Sequence, residues 1–367
     1  FAKIRGSYGT VGSDNINNYV YLTRWSANKD AINSYGGNAS YAPTQHANPD
    51  LQWQENKKLE IATNINFLRD KLNIDVAWYR DRCGNQLLFT PLPVMTGFSG
   101  VSANLLATVQ NTGLEIKLNA TIIERKSFRV SGNFNIGKNQ NKLVKFPGIE
   151  NTSYANQYAV GSPLNTMYVV KFIGVDPITG EYTFEDVDRN GVIDANSGIK
   201  SKDTYGIDLS ARYFGGSGID ISIGQLSLNT YFTFVKSPHV PKAIIAGVPG
   251  QFGTYNQSNR ALNRWQKQGD VAEFAKFKTK GVLSDQLYRN SDGIFSNGSS
   301  LRCQNINLSY SLNQTLLNKI GCQSANFFAK AENVFVITNY DGLDPAAPGL
   351  GAHPPLFTLT FGMNFTF

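Results

Sequence analysis

The last eleven residues of the chain constrain its fold most strongly. Apolar residues occupy every second position from Phe357 to Phe367, and small or polar residues fill the positions between them. A period of two predicts a β-strand, because only there do successive side chains point to opposite faces. Transmembrane β-barrels show this alternation over about ten residues per strand, since each side chain faces either lipid or the lumen. A half-buried strand of a soluble β-sandwich also alternates, so this stretch alone leaves both folds open.

The composition favours an all-β protein with many turns. The 367 residues include 23 Phe, 17 Tyr, 4 Trp and 34 Gly. No run of about 18 apolar residues occurs, so no transmembrane helix is predicted. The net charge of +7 comes from scattered Lys and Arg, which argues against a nucleic-acid-binding surface. The first residues already alternate like a strand, so we expect one piece of a longer polypeptide.

About ten stretches of the chain alternate in this way, and the connections between them follow a regular order. The connections are short near residues 69, 125, 225 and 317 and long after residues 9, 80, 137, 235 and 336. All long loops would therefore leave one end of an up-and-down meander. Outer-membrane barrels show this asymmetry, whereas a soluble sandwich has no physical reason for it.

Strand length and charge agree with a membrane barrel. Ten residues rising about 3.3 Å each and tilted by roughly 45° span about 23 Å, close to an apolar band of about 25 Å. The charged residues of the strands fall on the polar phase: Arg5, Lys58, Glu60, Asp75, Glu115, Lys117, Arg129, Lys330 and Glu332. The sequence therefore predicts an antiparallel up-and-down transmembrane β-barrel segment of about ten strands with long extracellular loops.

The longest loop region is expected at residues 138–211. It is predicted to hold short strands around Tyr168–Phe172 and Tyr182–Phe184, and a later loop is predicted to hold a short helix within Arg260–Gln268. A turn containing Leu316 and Leu317 is expected before the ninth strand.

Several segments resemble the C-terminal barrel half of SusC/RagA-family TonB-dependent transporters, in the same order and over nearly the whole chain. They are FAKIRGSYGTVGS at the start, NPDLQWQENKKLEIATNINFLRDKLNIDVAWYRDR at 48–82, NTGLEIKLNA at 111–120, GVDPITGEYTFEDVDRNGVID at 174–194, LRCQNINLSYSLN at 301–313, AENVFVITNYDGLDP at 331–345 and FTLTFGMNFTF at the end.

The resemblance implies a barrel of 22 strands around an N-terminal plug, capped by a SusD-like lipoprotein and energised through TonB, ExbB and ExbD. Such proteins import glycan fragments, and in some members peptides, across the outer membrane of Bacteroidetes-type bacteria. This chain departs from the family by lacking the plug, the TonB-contact segment and about half of the strands. We expect these parts on another chain or outside this sequence, because ten strands closed by themselves would leave little room inside.

Two other function classes remain open from the sequence. One is a secreted or surface-attached β-rich binding module with its long loops as the ligand face, and the other is a passive outer-membrane porin. The substrate and its binding residues are not predicted, because selectivity would depend on the loops, the plug and the partner lipoprotein.

A possible metal site lies in the long loop region. Residues 186–194 match the first nine positions of an EF-hand calcium loop, D-x-D-x-N-G-x-x-D. The ligands in that pattern are the side chains of Asp186, Asp188, Asn190 and Asp194 and the carbonyl of Val192. Position twelve is Ser197 rather than the bidentate Glu, so calcium affinity should be reduced. The alternative is an Asx-rich turn that needs no metal.

No catalytic residue is predicted. The three histidines, His46, His239 and His353, fall in separate loops without an acid–base or nucleophile pattern, and residues 97–100 do not form a G-x-S-x-G elbow. Five loop aromatics are candidates for stacking on sugars or peptide side chains, with loop packing as the alternative: Trp25, Tyr35, Tyr41, Tyr255 and Trp265.

Overall fold

Ten strands form one antiparallel sheet in the computed structural model, which describes residues 1–13, 17–28, 40–195, 198–242, 257, 259–349 and 352–367. The strands are β1 (Ala2–Ser13), β2 (Gln54–Phe67), β3 (Leu72–Gly84), β4 (Thr108–Arg125), β5 (Phe128–Lys145), β6 (Tyr213–Ile223), β7 (Leu226–Lys236), β8 (Ser300–Ser311), β9 (Ser324–Thr338) and β10 (Thr358–Thr366). Their order in the sheet is their order in the chain. The predicted up-and-down antiparallel arrangement is confirmed.

Short and long connections alternate as predicted. Residues 68–71, 126–127, 224–225 and 312–323 join β2 to β3, β4 to β5, β6 to β7 and β8 to β9. Gly224 has φ 58°, which an L side chain adopts at a cost, so glycine suits this two-residue turn. All long connections therefore leave the opposite end of the sheet.

Most of the apolar phase of the sheet is not covered by any other part of the described chain; at the short-turn end, Ala325 of β9 packs against Leu317. Ile4 is 80% exposed, Ile337 61% and Phe361 73%. A soluble sandwich buries such side chains against a second sheet, because each would otherwise forgo about 1.5 to 3 kcal/mol of burial. The uncovered face therefore favours a barrel wall in lipid over a sandwich.

The sheet is open at both edges. Within the described residues, β1 pairs only with β2 and β10 pairs only with β9. The ten strands thus do not close on themselves, and a self-contained ten-strand barrel would have contradicted our prediction. The division of the chain into a barrel part, a 138–211 loop region and a plug located elsewhere stays a prediction.

Glycines make room for tyrosine rings on the polar phase. A Cβ on Gly113 would lie 2.4 Å from the Tyr79 hydroxyl, and one on Gly216 would lie 2.2 Å from the Tyr231 hydroxyl. Because these distances are far below van der Waals contact, each ring needs glycine on the adjacent strand. The tyrosines therefore lie flat along the wall and leave the interior open.

The strands extend beyond the stretches that alternate in sequence. β4 and β5 each have 18 residues, whereas alternation was recognised only over 114–122 and 128–136. The extra residues at the long-loop end are polar on both faces, as in Lys138–Lys142, so the hydropathy signal disappears there although the backbone pairing continues. The long loop before β4 therefore ends earlier than predicted, and the long loop after β5 begins later.

Within the described residues, the long loops contain five small two-stranded sheets and several short helices. These sheets pair Arg24–Asn28 with Ser40–Gln45, Gln86–Pro91 with Gly100–Leu105, Thr166–Val170 with Thr204–Asp208, Phe172–Val175 with Tyr182–Phe184, and Val240–Pro241 with Phe295–Ser296. The described 3₁₀ turns are Val94–Thr96, Ile149–Asn151, Gly198–Lys200, Asn259–Asn263 and Asp292–Ile294. The short strands predicted around Tyr168–Phe172 and Tyr182–Phe184 are confirmed.

Two predictions about helices were wrong. Of the helix predicted within Arg260–Gln268, only the part that overlaps the 3₁₀ turn Asn259–Asn263 is helical. The helix does not continue because the Trp265 backbone N–H donates instead to the Phe274 carbonyl. The seven-residue helix α1 (Leu283–Arg289) was not predicted, and the seven-residue helix α2 (Gln314–Ile320) was predicted as a turn. In the described part of the chain, no helix is both long and apolar enough to cross a membrane.

Candidate functional site

The polar phase of the sheet carries rows of charged and amide side chains across neighbouring strands. In one row, Lys3, Asn64, Asp75, Lys117 and Asn135 stand opposite one another from β1 to β5. The adjacent row is made only of asparagines over four strands: Asn66, Asn73, Asn119 and Asn133. Side chains directly opposite each other on antiparallel strands are close enough to interact, so these rows form continuous polar ladders.

The first of these ladders borders a concavity of about 520 Å³ against the wall. Its polar lining is Arg5, Asp75, Glu115, Lys117 and Asn135, and its apolar or small lining is Ala77, Ile116, Ile136, Gly137 and Phe214. The Asn64 amide donates to Asp75 over 2.5 Å, and the Asn135 amide donates to the Tyr231 hydroxyl over 3.2 Å. Because positive and negative groups alternate along this surface, it can bind water and polar solutes without selecting one sign of charge.

A second feature is a packed body formed by the long loops, which we call the loop body. Its core is Tyr182, Ala275, Tyr288 and Ile294, all buried, with Phe172 and three other hydrophobic residues packed around them. The Tyr182 and Tyr288 rings stack with centroids 4.3 Å apart. The core joins the loop after β5 to the loop after β7. Burial raises the pKa of Tyr288 to about 12, and the pKa of Tyr182 also lies well above its usual value because of burial.

A buried ion cluster also holds the loop body together. The Lys278 ammonium lies 3.0 Å from an Asp285 oxygen and 2.5 Å from a Glu181 oxygen, and only 9% of the Lys278 side chain is exposed. The Ser284 hydroxyl donates to Glu181 over 2.8 Å. Burial alone would raise the pKa of Glu181, but the hydrogen bonds from Lys278 and Ser284 outweigh it and lower that pKa.

Two arginines connect the final long loop to the rest of the assembly. The Arg260 guanidinium binds both Glu273, in the loop after β7, and Asp341, in the loop after β9. Arg302 on β8 donates to both oxygens of the buried Asp344 carboxylate over 2.6 Å. The loops after β5, β7 and β9 therefore form one connected structure at the same end of the sheet.

The structure brings together only part of the predicted calcium ligand set. Carboxylate oxygens of Asp186, Asp188 and Asp203 lie within 4.8 Å of one another. The Asn190 side-chain oxygen instead accepts from the Val192 N–H over 2.7 Å. The Gly191 N–H donates to Asp186 over 2.8 Å and lowers the pKa of that carboxyl.

The sequence motif did not indicate Asp203, because this residue follows Asp194 by nine residues. Only the folding of the loop brings its side chain close to Asp186 and Asp188. It is 3% exposed, and its two oxygens accept from the Val187 and Asp194 N–H groups. Asp194 contributes its backbone here, and Ser197 lies outside the described residues. The three carboxylates suit a hard cation, but each hydrogen bond also suits an Asx-rich turn, so calcium binding stays a prediction.

The other predicted loop residues do not converge. Trp265 is held in the loop body, where its indole N–H donates to the Pro177 carbonyl over 3.0 Å, so loop packing explains it. Trp25 and Tyr41 are 60% and 71% exposed on the first long loop. Tyr35 and Tyr255 lie outside the described residues. The histidines lie in different loops: His46 contacts Phe98, His239 contacts Phe295, and His353 lies in the segment before β10.

Comparison with known proteins identifies relatives over the whole chain. A family model described as "TonB dependent receptor-like, beta-barrel" matches residues 2–231. TonB-dependent receptor P3 of Formosa agariphila is 23% identical, over 100% of this chain and 39% of the relative. TonB-dependent receptor SusC of Bacteroides thetaiotaomicron is 25% identical, over 100% of this chain and 37% of the relative. The chain thus spans about two-fifths of the length of these relatives.

The fold also matches solved structures. The RagAB peptide transporter superposes with a TM-score of 0.81 at 22% identity, over 100% of this chain and 41% of that chain. The RagAB peptide importer in the "closed-closed" state superposes with a TM-score of 0.82, also at 22% identity. At this identity, the likeness concerns the fold.

Replacing Lys278 should open the loop body. We expect Lys278→Met to lower its local opening free energy by about 3 to 5 kcal/mol, because the buried Asp285 carboxylate then loses its partner. Hydrogen exchange of residues 274–294 in the full-length protein would measure this. Lys276→Met is the matched control: Lys276 lies 3.3 Å from Glu181, but its side chain is 42% exposed, so we expect a change below about 1 kcal/mol.

The same cluster predicts a pH dependence. Since the folded-state pKa of Glu181 is lowered, its stabilising contribution is present above the usual Glu value of 4.5 and is lost as the pH falls through the folded-state value. Exchange protection should therefore decline below that pH, and less so in Lys278→Met. Equal exchange in wild type and both variants would contradict a structural role for the cluster.

Calcium binding can be tested at the Asp-rich turn. With the twelfth-position Glu replaced, we expect a Kd in the range of about 10⁻⁴ to 10⁻³ M, and about 1.4 kcal/mol of stabilisation at ten times Kd. Titration calorimetry and thermal unfolding of the full-length protein would measure both. Asp186→Asn with Asp188→Asn should abolish them, whereas Asp270→Asn, at another exposed turn, should not. If calcium produces no binding heat with wild type and does not change its unfolding temperature, the calcium prediction is wrong.

Proposed function

This chain belongs to the TonB-dependent receptor-like β-barrel family, and from that membership we propose that it is the C-terminal barrel part of an active outer-membrane nutrient importer. The cargo is a polar oligomer, either a glycan fragment or a peptide. Import is energised through TonB, ExbB and ExbD, and a SusD-like surface lipoprotein receives the cargo. The chain spans about two-fifths of the length of its curated relatives.

Family membership also establishes location and chemical class. TonB-dependent receptors are outer-membrane β-barrel proteins, and the relatives SusC and P3 come from Bacteroides thetaiotaomicron and Formosa agariphila. The predicted outer-membrane localisation is confirmed. The family consists of receptors and transporters rather than enzymes, which agrees with the prediction that this chain is non-enzymatic.

The observation that carries the proposal is the division of one sheet into an uncovered apolar face and a polar face bearing ladders of amides and charges. The apolar side chains suit contact with lipid, where a charged residue would cost about 2 to 4 kcal/mol at midplane. The polar ladders and the concavity of about 520 Å³ suit the passage of hydrated cargo. Hydrogen-bonded pairs such as the Asn64 amide with the Asp75 carboxylate keep this surface ordered without closing it.

The loop body supports a partner on the outer side. The loops after β5, β7 and β9 form one connected structure rather than independent chains, so they present a stable platform beside the mouth of the barrel. Trp25 and Tyr41 add exposed aromatic surface on the first long loop, which suits a partner protein or a sugar. The RagAB structure with a similar fold is described as a peptide transporter, so a peptide is one cargo to test, and the resemblance to SusC/RagA-family transporters makes a glycan fragment the other.

The two other function classes differ in measurable ways. A secreted binding module would leave the membrane under salt or carbonate extraction, whereas a barrel remains with outer membranes until detergent is added. A passive porin would continue to transport its solute after the proton gradient is discharged. An energised importer would stop.

The proposal can be tested by uptake in a bacterium that carries the full-length receptor and its neighbouring lipoprotein. We expect accumulation of a labelled oligosaccharide or oligopeptide panel to fall to background when an uncoupler is added or TonB is deleted, because release into the periplasm needs that energy. Deleting the lipoprotein should reduce uptake at low cargo concentration. Uptake that persists unchanged with the uncoupler would indicate a porin, and absence of uptake for every cargo would contradict the proposal.

A further inference from the structure

The apolar phase of the sheet, which faces outward in the barrel, changes from apolar to cationic and polar residues near its long-loop end. On β5 the outward residues are Phe128, Val130, Gly132, Phe134 and Ile136, followed by Lys138, Gln140 and Lys142. The eight steps from Phe128 to Ile136 span about 19 Å at a tilt of roughly 45°, and Lys138 lies at about 23 Å. The apolar band therefore ends where the lysines begin.

Aromatic residues mark the same level on neighbouring strands. Tyr8 on β1 is 68% exposed, Tyr213 on β6 is 40% exposed, and Trp78 on β3 lies on the outward phase opposite Ile61 and Leu114. Tyr and Trp are enriched where lipid tails meet headgroups, because their rings are apolar and their polar atoms need hydration. This level is thus the boundary between hydrocarbon and headgroups on the long-loop side.

Cations are concentrated just beyond that boundary. In one outward row Thr10, Lys57, Arg82, Gln110 and Lys142 stand opposite one another from β1 to β5. Lys57 also lies 3.1 Å from Glu55, and the Arg82 side chain donates to Gln110 over 2.6 Å. Like charges directly opposite each other on adjacent strands are destabilising. Glu55 offsets Lys57, so the row keeps an excess of positive charge from Arg82 and Lys142 that an anion from outside the protein would neutralise.

A groove of about 830 Å³ lies in this cationic surface, between the upper part of β5 and the segment leading into β6. Lys138, Lys142 and Arg212 are its cations, and Asp208 is its one carboxylate. Asp208 is engaged by the Ser210 N–H over 2.9 Å. The remaining lining is polar or small: Gln110, Thr112, Asn139, Gln140, Asn141, Gly161, Pro163, Ala211 and Tyr213.

The three cations of the groove are available to a ligand. All three residues are exposed, and none of their side chains forms an ion pair or a hydrogen bond with another described residue. The Gln140 amide lies among them and suits hydroxyl groups, whereas the Gln110 amide already accepts from Arg82 and donates to the Thr112 hydroxyl over 2.9 Å. Lys and Arg side chains suit phosphate oxygens, and amides suit a sugar ring.

We propose that this groove, lined by Lys138, Lys142 and Arg212, binds the phosphorylated sugar headgroup of a glycolipid in the outer leaflet. The acyl chains of such a lipid would extend down the apolar band past Ile136 and Phe134, while its phosphates contact the lysines. An ordinary anionic phospholipid offers phosphate without the sugar hydroxyls that the amides match. The proposal rests on the membrane position of the sheet and not on the transport activity.

The experiment is native mass spectrometry of the full-length receptor after exchange into phosphatidylcholine nanodiscs that contain diphosphoryl lipid A. We expect wild type to retain lipid A, and Lys138→Gln with Lys142→Gln and Arg212→Gln to retain it about a hundredfold more weakly, because three cations near a membrane surface each contribute to attraction. Dephosphorylated lipid A should bind wild type as weakly as diphosphoryl lipid A binds the triple variant. Inorganic phosphate should compete only at millimolar concentration.

A matched control removes the same charge from the other end of the barrel. Arg69→Gln with Arg125→Gln and Lys126→Gln alters three exposed cations at the short turns and should leave lipid A retention unchanged. Heat-modifiable migration on gels would show that both triple variants fold. Equal lipid A retention in wild type and the groove variant, or an equal loss in both triple variants, would overturn the proposal. Uptake of cargo by the groove variant tests the transport function separately.

Discussion

The structure depends on one constraint: a segment that crosses hydrocarbon must pair every backbone N–H and C=O internally while its side chains divide between lipid and a wet interior. Antiparallel pairing from β1 to β10 meets the first requirement over most of the wall. The period of two along each strand meets the second, as Phe134 and Asn135 on β5 illustrate. Membrane position, the polar ladders and the grouping of the long loops all follow from this division.

The long loops are held by forces of a different kind. The stacked rings of Tyr182 and Tyr288 and the buried pair of Lys278 with Asp285 give the loop body a small core of its own. Buried ion pairs contribute little net stability but cost several kcal/mol when one partner is removed, so they favour one arrangement of the loops over others. The loop body therefore presents one fixed arrangement at the long-loop end of the sheet.

Sequence alone predicted the wall well and the loops poorly, for physical reasons. Alternation reveals a strand only where one face is apolar, so the β5 residues after Ile136 were invisible to it although they remain paired with β4. Asp203 joins Asp186 and Asp188 only through the folded loop, and no local spacing indicates it. Helix α1 is too short to show a periodic apolar face, and α2 resembles a turn because seven residues complete fewer than two helical turns.

The central claim, that the apolar phase faces lipid and the polar phase faces the interior, is tested most directly by nitroxide labels placed one at a time along β5 from Phe128 to Lys138 in the full-length protein in lipid bilayers. The account predicts that collision with oxygen, which partitions into lipid, peaks at every second residue, at 130, 132, 134 and 136. Collision with a water-soluble nickel chelate should peak at the residues between them and rise at Lys138. Accessibility that does not alternate, or that places residues 133 and 135 in lipid, would contradict it.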